Sequence, residues 1–83
     1  ALKEVSTRLA KHLLELSEEA DSSHEVFLTT SKTMLAARLG AVAETLSRTL
    51  ARMQRRGIIQ VDGRRVLLKN REALEALAEG EKL

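Results

Sequence analysis

Apolar residues recur at helical spacing in three parts of the chain. Residues 2–17 carry one continuous stripe, and residues 43–56 carry a second. A shorter pattern of the same kind covers residues 71–78. The positions in the first two stripes are Leu2, Val5, Leu9, Leu13 and Leu16, followed by Leu46, Leu50 and Met53. This spacing predicts a protein built mainly from helices.

Between the first two stripes the sequence predicts a loop, a short strand and a short helix. Residues 18–25 are polar and have no stripe, so we predict a loop there and a short β-prone strand over 26–29. Thr30 and Ser31 offer a hydroxyl that can cap a short following helix. Gly40 closes that helix, because glycine readily takes the left-handed conformation of a helix end.

A hairpin follows the second stripe. Gly57 closes the helix, and residues 58–68 form two β-prone runs separated by Asp62 and Gly63. An Asp-Gly pair between such runs predicts a tight turn, since primed turns need a positive φ. Asn70 then caps the last helix.

Ala36, Gly40 and Leu46 have the spacing of a helix-turn-helix. Two helices that cross closely need a small residue at the crossing, a glycine in the turn, and an apolar residue that faces back. The hairpin directly after the second helix makes this a winged helix-turn-helix, mainly α with a small β-hairpin wing. We divide the chain into a lead-in helix and loop over 1–25 and a winged helix-turn-helix over 26–83, together one compact domain.

Composition narrows the class of protein. The 83 residues suffice for one small domain, and 43% are hydrophobic. The absence of cysteine excludes disulfides, thiolate zinc sites and a cysteine nucleophile. No apolar run approaches the ~20 residues of a membrane span, and we identify no signal peptide. Because the chain begins at Ala1 within a helical pattern, we expect a domain of a longer protein.

Charge is unevenly distributed along the chain. Residues 1–30 hold three bases and six acids, and residues 70–83 hold two bases and four acids. Residues 31–69 hold nine bases and two acids, a net charge of +7. Basic charge concentrated in one segment is typical of a surface that binds a polyanion.

The polar face of the predicted helix 43–56 has the residue types that read DNA. Glu44, Arg48 and Arg55 lie opposite the apolar stripe, with Ser47 and Arg52 on the flanks. Arginine can bind guanine through two hydrogen bonds, glutamate can accept from a base amino group, and serine is small enough to allow close approach. The alternative is an ordinary solvated face with an ion pair between residues 44 and 48.

A second set of residues is predicted to bind phosphates. Lys32 and Thr33 open the first helix of the pair, where free backbone N–H groups favour an anion. Arg64 and Arg65 would begin the second wing strand, and since they point apart we expect at most one to touch DNA. The complete predicted phosphate set is Ser31, Lys32, Thr33, Thr45, Arg52 and Arg64.

Other classes of function are less well supported. A winged helix used for protein–protein docking is the main alternative, but a docking face should be apolar or mixed and should not carry a net charge of +7 in the segment that would face DNA. Single-stranded nucleic acid needs stacking aromatics, and Phe27 is the single aromatic residue. His12 and His24 have no partner cluster, so we predict no enzyme, no metal and no cofactor in this chain.

The segment "TTSKTMLAARLGAVAETLSRTLARMQRRGIIQVDGRRVLL" resembles the C-terminal DNA-binding domain of the Crp/Fnr transcription regulators. The resemblance rests on E-T-L-S-R at 44–48, apolar residues at 50 and 53, R-G-I-I at 56–59 and the wing. It extends over about residues 26–78, with the helix at 2–17 resembling the one that leads into this domain. The E-x-x-S-R pattern resembles the Fnr-like version, and "SKTMLAARLG" resembles the denitrification-regulator branch.

The resemblance implies a cytoplasmic, nucleoid-associated bacterial regulator that binds double-stranded DNA. Glu44, Ser47 and Arg48 would read a TTGAT-type half-site, and a homodimer of the full-length protein would read a palindrome. RNA polymerase is a further candidate partner, and any effector would bind a separate N-terminal sensor domain. Two positions depart from the family pattern: Ala43 replaces a common proline, and Val42 replaces an N-cap hydroxyl.

Overall fold

A computed structural model describes residues 2–83, with side chains described from residue 4 onward. In chain order the elements are α1 (Leu2–Glu19), β1 (Glu25–Phe27), α2 (Lys32–Arg38), α3 (Ala43–Arg55), β2 (Ile59–Asp62), β3 (Arg65–Leu68) and α4 (Arg71–Ala78). This architecture confirms the predicted fold class, mainly helical with a small β wing.

All four helices end in the same hydrogen-bonded motif. In α3, the Ile58 N–H donates to the Met53 carbonyl and the Gly57 N–H to the Gln54 carbonyl, the pattern of a Schellman end. The other three helices repeat this pair of bonds, with Asp21, Gly40 and Gly80 in the left-handed position. A glycine in the sequence therefore marks three of the helix ends. The end of α1 has no such mark, because Asp21 takes the left-handed conformation there with φ +53°.

The end of α1 differs from the prediction because no glycine marks it. The helix continues to Glu19, so two residues assigned to a loop are helical. Glutamate is a good helix former, and nothing before Asp21 interrupts the backbone hydrogen bonds. The polar composition of 18–25 was the wrong criterion for the helix boundary.

The three strands form one antiparallel sheet in the order β1-β3-β2. Val26 lies opposite Val66, and Val61 lies opposite the same residue from the other side. The predicted strand over 26–29 is shifted to Glu25–Phe27, although the Leu28 N–H still donates to the Arg64 carbonyl at 2.8 Å. The wing is thus the exposed end of a three-stranded sheet rather than an isolated hairpin.

The wing turn also differs by one residue from the prediction. Asp62 pairs with Arg65, so the two central residues of the turn are Gly63 and Arg64. Gly63 has φ +62°, and Arg64 does not have a positive φ. A glycine followed by a residue of negative φ is typical of a type II′ turn, which matches the twist of the flanking strands.

One aliphatic core joins every element. The helices α1 and α4 pack against each other, α2 packs on α3, and the sheet packs against α1 and α3. Burying a leucine-sized side chain contributes about 1.5–3 kcal/mol, so this core is the main source of stability. Its fully buried large apolar side chains are Leu9, Leu13, Val26, Leu35, Leu46, Met53, Ile59, Val66 and Leu74.

Candidate nucleic-acid interface

The helix pair α2–α3 has the predicted geometry. Ala36 and Leu46 are both buried, and Gly40 has φ +75°. The Ala41 N–H donates to the Ala36 carbonyl at 2.8 Å, which closes the end of α2 and starts the turn. The three residues that define the motif in the sequence therefore act together in the structure.

The two helices of the pair begin differently. The hydroxyl oxygen of Ser31 accepts a hydrogen bond from the Met34 N–H at 3.2 Å, so α2 has the predicted side-chain cap. The cap position of α3 is Val42, which provides no such bond and is 67% exposed. The amide groups in the first turn of α3 consequently have no side-chain cap at this residue.

The exposed face of α3 lies opposite the core. Leu46, Leu50 and Met53 are buried, as predicted from their spacing. The residues on the other side of the helix are exposed, and the set predicted to contact bases or phosphates from this face is Glu44, Ser47, Arg48 and Arg52. The structure therefore presents these side chains on a rigid helix whose rotation is fixed by the core.

Glu44 and Arg48 form the ion pair that the solvated-face alternative expects. Oε1 of Glu44 lies 3.3 Å from Nη2 of Arg48, and the side chains remain 80% and 65% exposed. An exposed pair four residues apart on a helix is worth about 0.3–0.5 kcal/mol. Such a pair costs little to open, so it does not prevent either side chain from contacting DNA.

The predicted phosphate-binding residues are distributed over three elements. Ser31, Lys32 and Thr33 lie at the start of α2 and are exposed, whereas Thr45 in the first turn of α3 is half-buried. The Thr45 carbonyl accepts a hydrogen bond from the buried Thr49 hydroxyl at 2.8 Å. The remaining members, Arg52 and Arg64, are exposed on α3 and in the wing turn.

The two wing arginines have different surroundings. Arg64 occupies the turn rather than the start of a strand, which corrects the predicted position and places it at the tip of the wing. Arg65 begins β3, and its Nε donates to Oε2 of Glu25 at 2.6 Å across the sheet. Arg65 is therefore held by β1, while Arg64 extends from the loop.

Two contacts that orient the helix pair were not predicted from the sequence. Oε1 of Gln54 on α3 accepts a hydrogen bond from the Val61 N–H of β2 at 3.0 Å. Nη1 of Arg8 on α1 donates to the Leu39 carbonyl at the end of α2 at 3.1 Å. In the sequence pattern Gln54 and Arg8 are only polar positions on helix surfaces, and their partners are backbone groups of distant elements, so no local signal identifies either contact.

Other chemistry is sparse in the described part of the chain. Burial lowers the pKa of the His12 imidazole from its ordinary value of 6.5; the charges of Glu15 and Glu19 oppose this shift and that of Arg38 adds to it. Within residues 2–83, no group of three or more His, Cys, Asp or Glu side chains is placed to hold a metal ion. No helix in the same range is both long and apolar enough to cross a membrane.

Comparison with known proteins identifies the family. Residues 7–77 match the Crp-like helix-turn-helix domain. The chain is 35% identical over 80 residues to the fumarate and nitrate reduction regulatory protein of Salmonella typhimurium, an alignment that covers 92% of this chain and 32% of that protein. The chain therefore spans about a third of the length of this relative.

Solved structures agree with the sequence match. The crystal structure of DNR from Pseudomonas aeruginosa superposes with a TM-score of 0.82 at 34% identity, over 92% of this chain and 34% of that one. FixK2 from Bradyrhizobium japonicum superposes with a TM-score of 0.79 at 31% identity, over 88% of this chain and 37% of that one. The Salmonella relative is by name a regulatory protein, in agreement with the expectation from the sequence that this chain is not an enzyme. The chain belongs to the Crp-like helix-turn-helix domain family and is a DNA-binding domain of the kind found in Crp/Fnr transcription regulators.

Proposed function

We propose that α3 enters the major groove of double-stranded DNA and reads a TTGAT-type half-site through Glu44, Ser47 and Arg48. The observation that carries this proposal is the exposed, mixed-charge face of α3 opposite Leu46 and Leu50, on the second helix of a helix-turn-helix. In this motif the first turns of the second helix contact base edges.

The three side chains have complementary tasks in this proposal. Arg48 donates to guanine O6 and N7, and Glu44 accepts from the amino group of cytosine or adenine. Ser47 allows close approach and donates to a base or a phosphate. The ion pair between Glu44 and Arg48 keeps the two side chains together on the exposed face of α3 and opens at small cost. One acid among the bases of α3 favours sequence reading over general attraction to phosphates.

Phosphate contacts would fix the register of the helix on the duplex. The hydroxyl oxygen of Ser31 accepts from the Met34 N–H, so its own O–H can still donate to a phosphate. Lys32, Arg52 and Arg64 supply exposed positive charge on α2, α3 and the wing tip. Thr33 and Thr45 complete this proposed set.

The full-length context is also proposed. The relatives are about three times as long as this chain. We place the chain in the denitrification-regulator-like branch, on the resemblance of "SKTMLAARLG" before the E-x-x-S-R pattern. We propose that the complete protein binds a palindrome as a homodimer in the bacterial cytoplasm, at the nucleoid. An effector would act through an N-terminal sensor domain, and RNA polymerase is a candidate partner.

A docking role is the second candidate function. It is favoured by three exposed large apolar side chains within residues 4–83: Phe27 at 58%, Met34 at 64% and Val42 at 67%. Exposed apolar side chains mark protein contacts when they form a continuous patch. The net charge of +7 over residues 31–69 favours DNA over this alternative.

The test is a fluorescence-anisotropy titration against two duplexes, one with TTGAT half-sites and one with the same bases permuted. Arg48→Ala should weaken binding to the matched duplex by about 1–3 kcal/mol, about 5- to 150-fold in Kd, with a much smaller loss on the permuted duplex. Lys32→Ala is the control, because it also removes one positive charge. It should weaken both duplexes equally and reduce the salt slope by about one.

The outcomes separate the two candidate functions. An equal loss on both duplexes with Arg48→Ala would make Arg48 a phosphate contact and contradict base reading by this residue. Equal, steeply salt-dependent binding of the wild type to both duplexes would contradict the half-site. Failure to bind either duplex at low salt would favour the docking role.

A further inference from the structure

The lead-in helix α1 contacts the turn of the helix-turn-helix through Arg8. Its Nη1 donates to the Leu39 carbonyl at 3.1 Å, a contact between residues 31 positions apart. Leu39 is the C-cap of α2, and carbonyl groups at a helix C-terminus lack partners within the helix. The positive guanidinium also lies at the negative end of the helix dipole, where a cation is stabilising.

Gly40 leaves the space that this arginine occupies. A Cβ atom at Gly40 would lie 2.7 Å from Nη1 of Arg8, closer than real contacts allow. The glycine therefore has two roles, because its φ of +75° closes α2 and its missing side chain admits the guanidinium. A side chain at any of the other three glycines would meet no atom within 4 Å of its Cβ beyond its own chain neighbours.

The backbone position of Arg8 is fixed by its neighbours on α1, although the residue itself is exposed. Leu9 and Leu13 are completely buried, so the backbone that carries Arg8 is part of the core. The short helix α2, with seven residues, has its first turn capped by Ser31 and its C-cap residue, Leu39, held from α1. The turn between α2 and α3 is consequently attached to an element outside the helix-turn-helix.

We infer that Arg8 is a positioning residue, which holds the end of α2 and the Gly40 turn against α1 and so fixes the angle at which α3 is presented. This inference rests on the proposed reading of bases by α3. Because base contacts depend on the helix angle more than phosphate attraction does, loss of the contact should reduce discrimination between sequences. Arg8 itself need not touch DNA.

The test compares Arg8→Met with Lys11→Met in the same domain. Lys11 is exposed on α1 about one turn away, so its replacement removes the same charge without touching the turn. Hydrogen exchange at the Gly40 and Ala41 amides reports the turn, with the α4 amides as an internal reference. We expect Arg8→Met to accelerate exchange at these two amides by about tenfold, the factor set by a charge-assisted hydrogen bond of ordinary strength. Lys11→Met should leave both rates unchanged.

Binding provides the readout that a purely structural role would not change. Arg8→Met should reduce the ratio of affinities for matched and permuted duplexes by about 3- to 10-fold at a temperature where the domain stays folded. Lys11→Met should lower both affinities equally. Arg8→Lys keeps the charge and a donor, so it should recover part of the ratio and serves if Arg8→Met does not fold.

A double-mutant cycle tests the shared space directly. Gly40→Ala forces the guanidinium away, so Arg8→Met should add no further loss of discrimination in that background. Three outcomes would each overturn the role of Arg8. They are unchanged amide exchange with Arg8→Met, faster exchange with an unchanged affinity ratio, and additive losses of discrimination in the double mutant. A wild type that does not discriminate between duplexes would instead contradict the proposed function, and the two failures are therefore distinguishable.

Discussion

The buried and exposed faces of α3 are determined by different features of the sequence. On the buried face, Leu46, Leu50 and Met53 recur every three or four residues and pack into the core. On the exposed face, Glu44 and Arg48 pair with each other at 3.3 Å and otherwise face solvent. Spacing alone identifies the first face, whereas the second is informative only through the chemistry of its side chains.

This difference separates stability from recognition within one helix. A buried side chain contributes through the apolar area it removes from water, and its replacement leaves a cavity. An exposed charged pair contributes a few tenths of a kcal/mol to stability and can change without unfolding the domain. The exposed face is thus free to be selected for what it binds, and variants can test whether the two faces are independent.

Replacing Leu46 should have the largest effect. Leu46 is completely buried where α3 crosses α2, so Leu46→Ala should destabilise the domain by about 2–5 kcal/mol in urea or thermal unfolding. This loss is a large share of the free energy of unfolding of a typical domain, about 5–15 kcal/mol. Leu46→Met should cost less than about 1.5 kcal/mol and serves as a milder variant if Leu46→Ala does not fold. Leu14→Ala, at a half-buried position on α1, is the control and should cost less. Equal losses at the two positions would contradict the central packing role of Leu46.

The buried pattern and the glycines made most of the fold predictable. Gly40 and Gly57 marked the ends of α2 and α3 because they are the residues with φ of +75° and +71°. The end of α1 was missed since Asp21 takes the same conformation without being glycine. The β1–β3 pairing was not predictable either, because it joins Val26 to Val66 and local patterns carry no information about such distant partners.

The candidate site was predictable in its residue types but not in its contacts. The face of α3 follows from helix geometry, so Glu44 and Arg48 could be placed on it from the sequence. The bonds from Arg8 to Leu39 and from Gln54 to Val61 depend on how separate elements pack. The wing tip was misplaced by one residue, because either Asp62-Gly63 or Gly63-Arg64 could occupy the two central turn positions.

The start of α3 belongs to neither face, and a change there should have an effect on stability between those of the Leu46 and Glu44 variants. Val42 is exposed and gives no capping bond, whereas Ser31 caps α2. Val42→Ser should add a hydroxyl that accepts from an amide of the first turn and stabilise the domain by about 0.5–2 kcal/mol. For a domain of this size, 1 kcal/mol raises Tm by about 4–8 °C. Val42→Ala removes the same apolar side chain without adding a cap, so an equal Tm for the two variants would show that capping is not the cause.

Glu44→Gln should have the smallest effect on stability and gives the sharpest test of independent faces. The change removes the ion pair with Arg48 and an acid near the positive end of the helix dipole, together about 0.6–1.5 kcal/mol. The matched control is Glu72→Gln, because Glu72 occupies the same second position of α4 after its cap. Both variants should have nearly the same unfolding free energy, but only Glu44→Gln should bind the permuted duplex more tightly, since it removes a negative charge facing the phosphates. Its preference for the TTGAT duplex should fall accordingly in the anisotropy titration. Unchanged discrimination with Glu44→Gln would mean that the carboxylate is a solvated surface group, and base reading would then have to rest on Ser47 and Arg48.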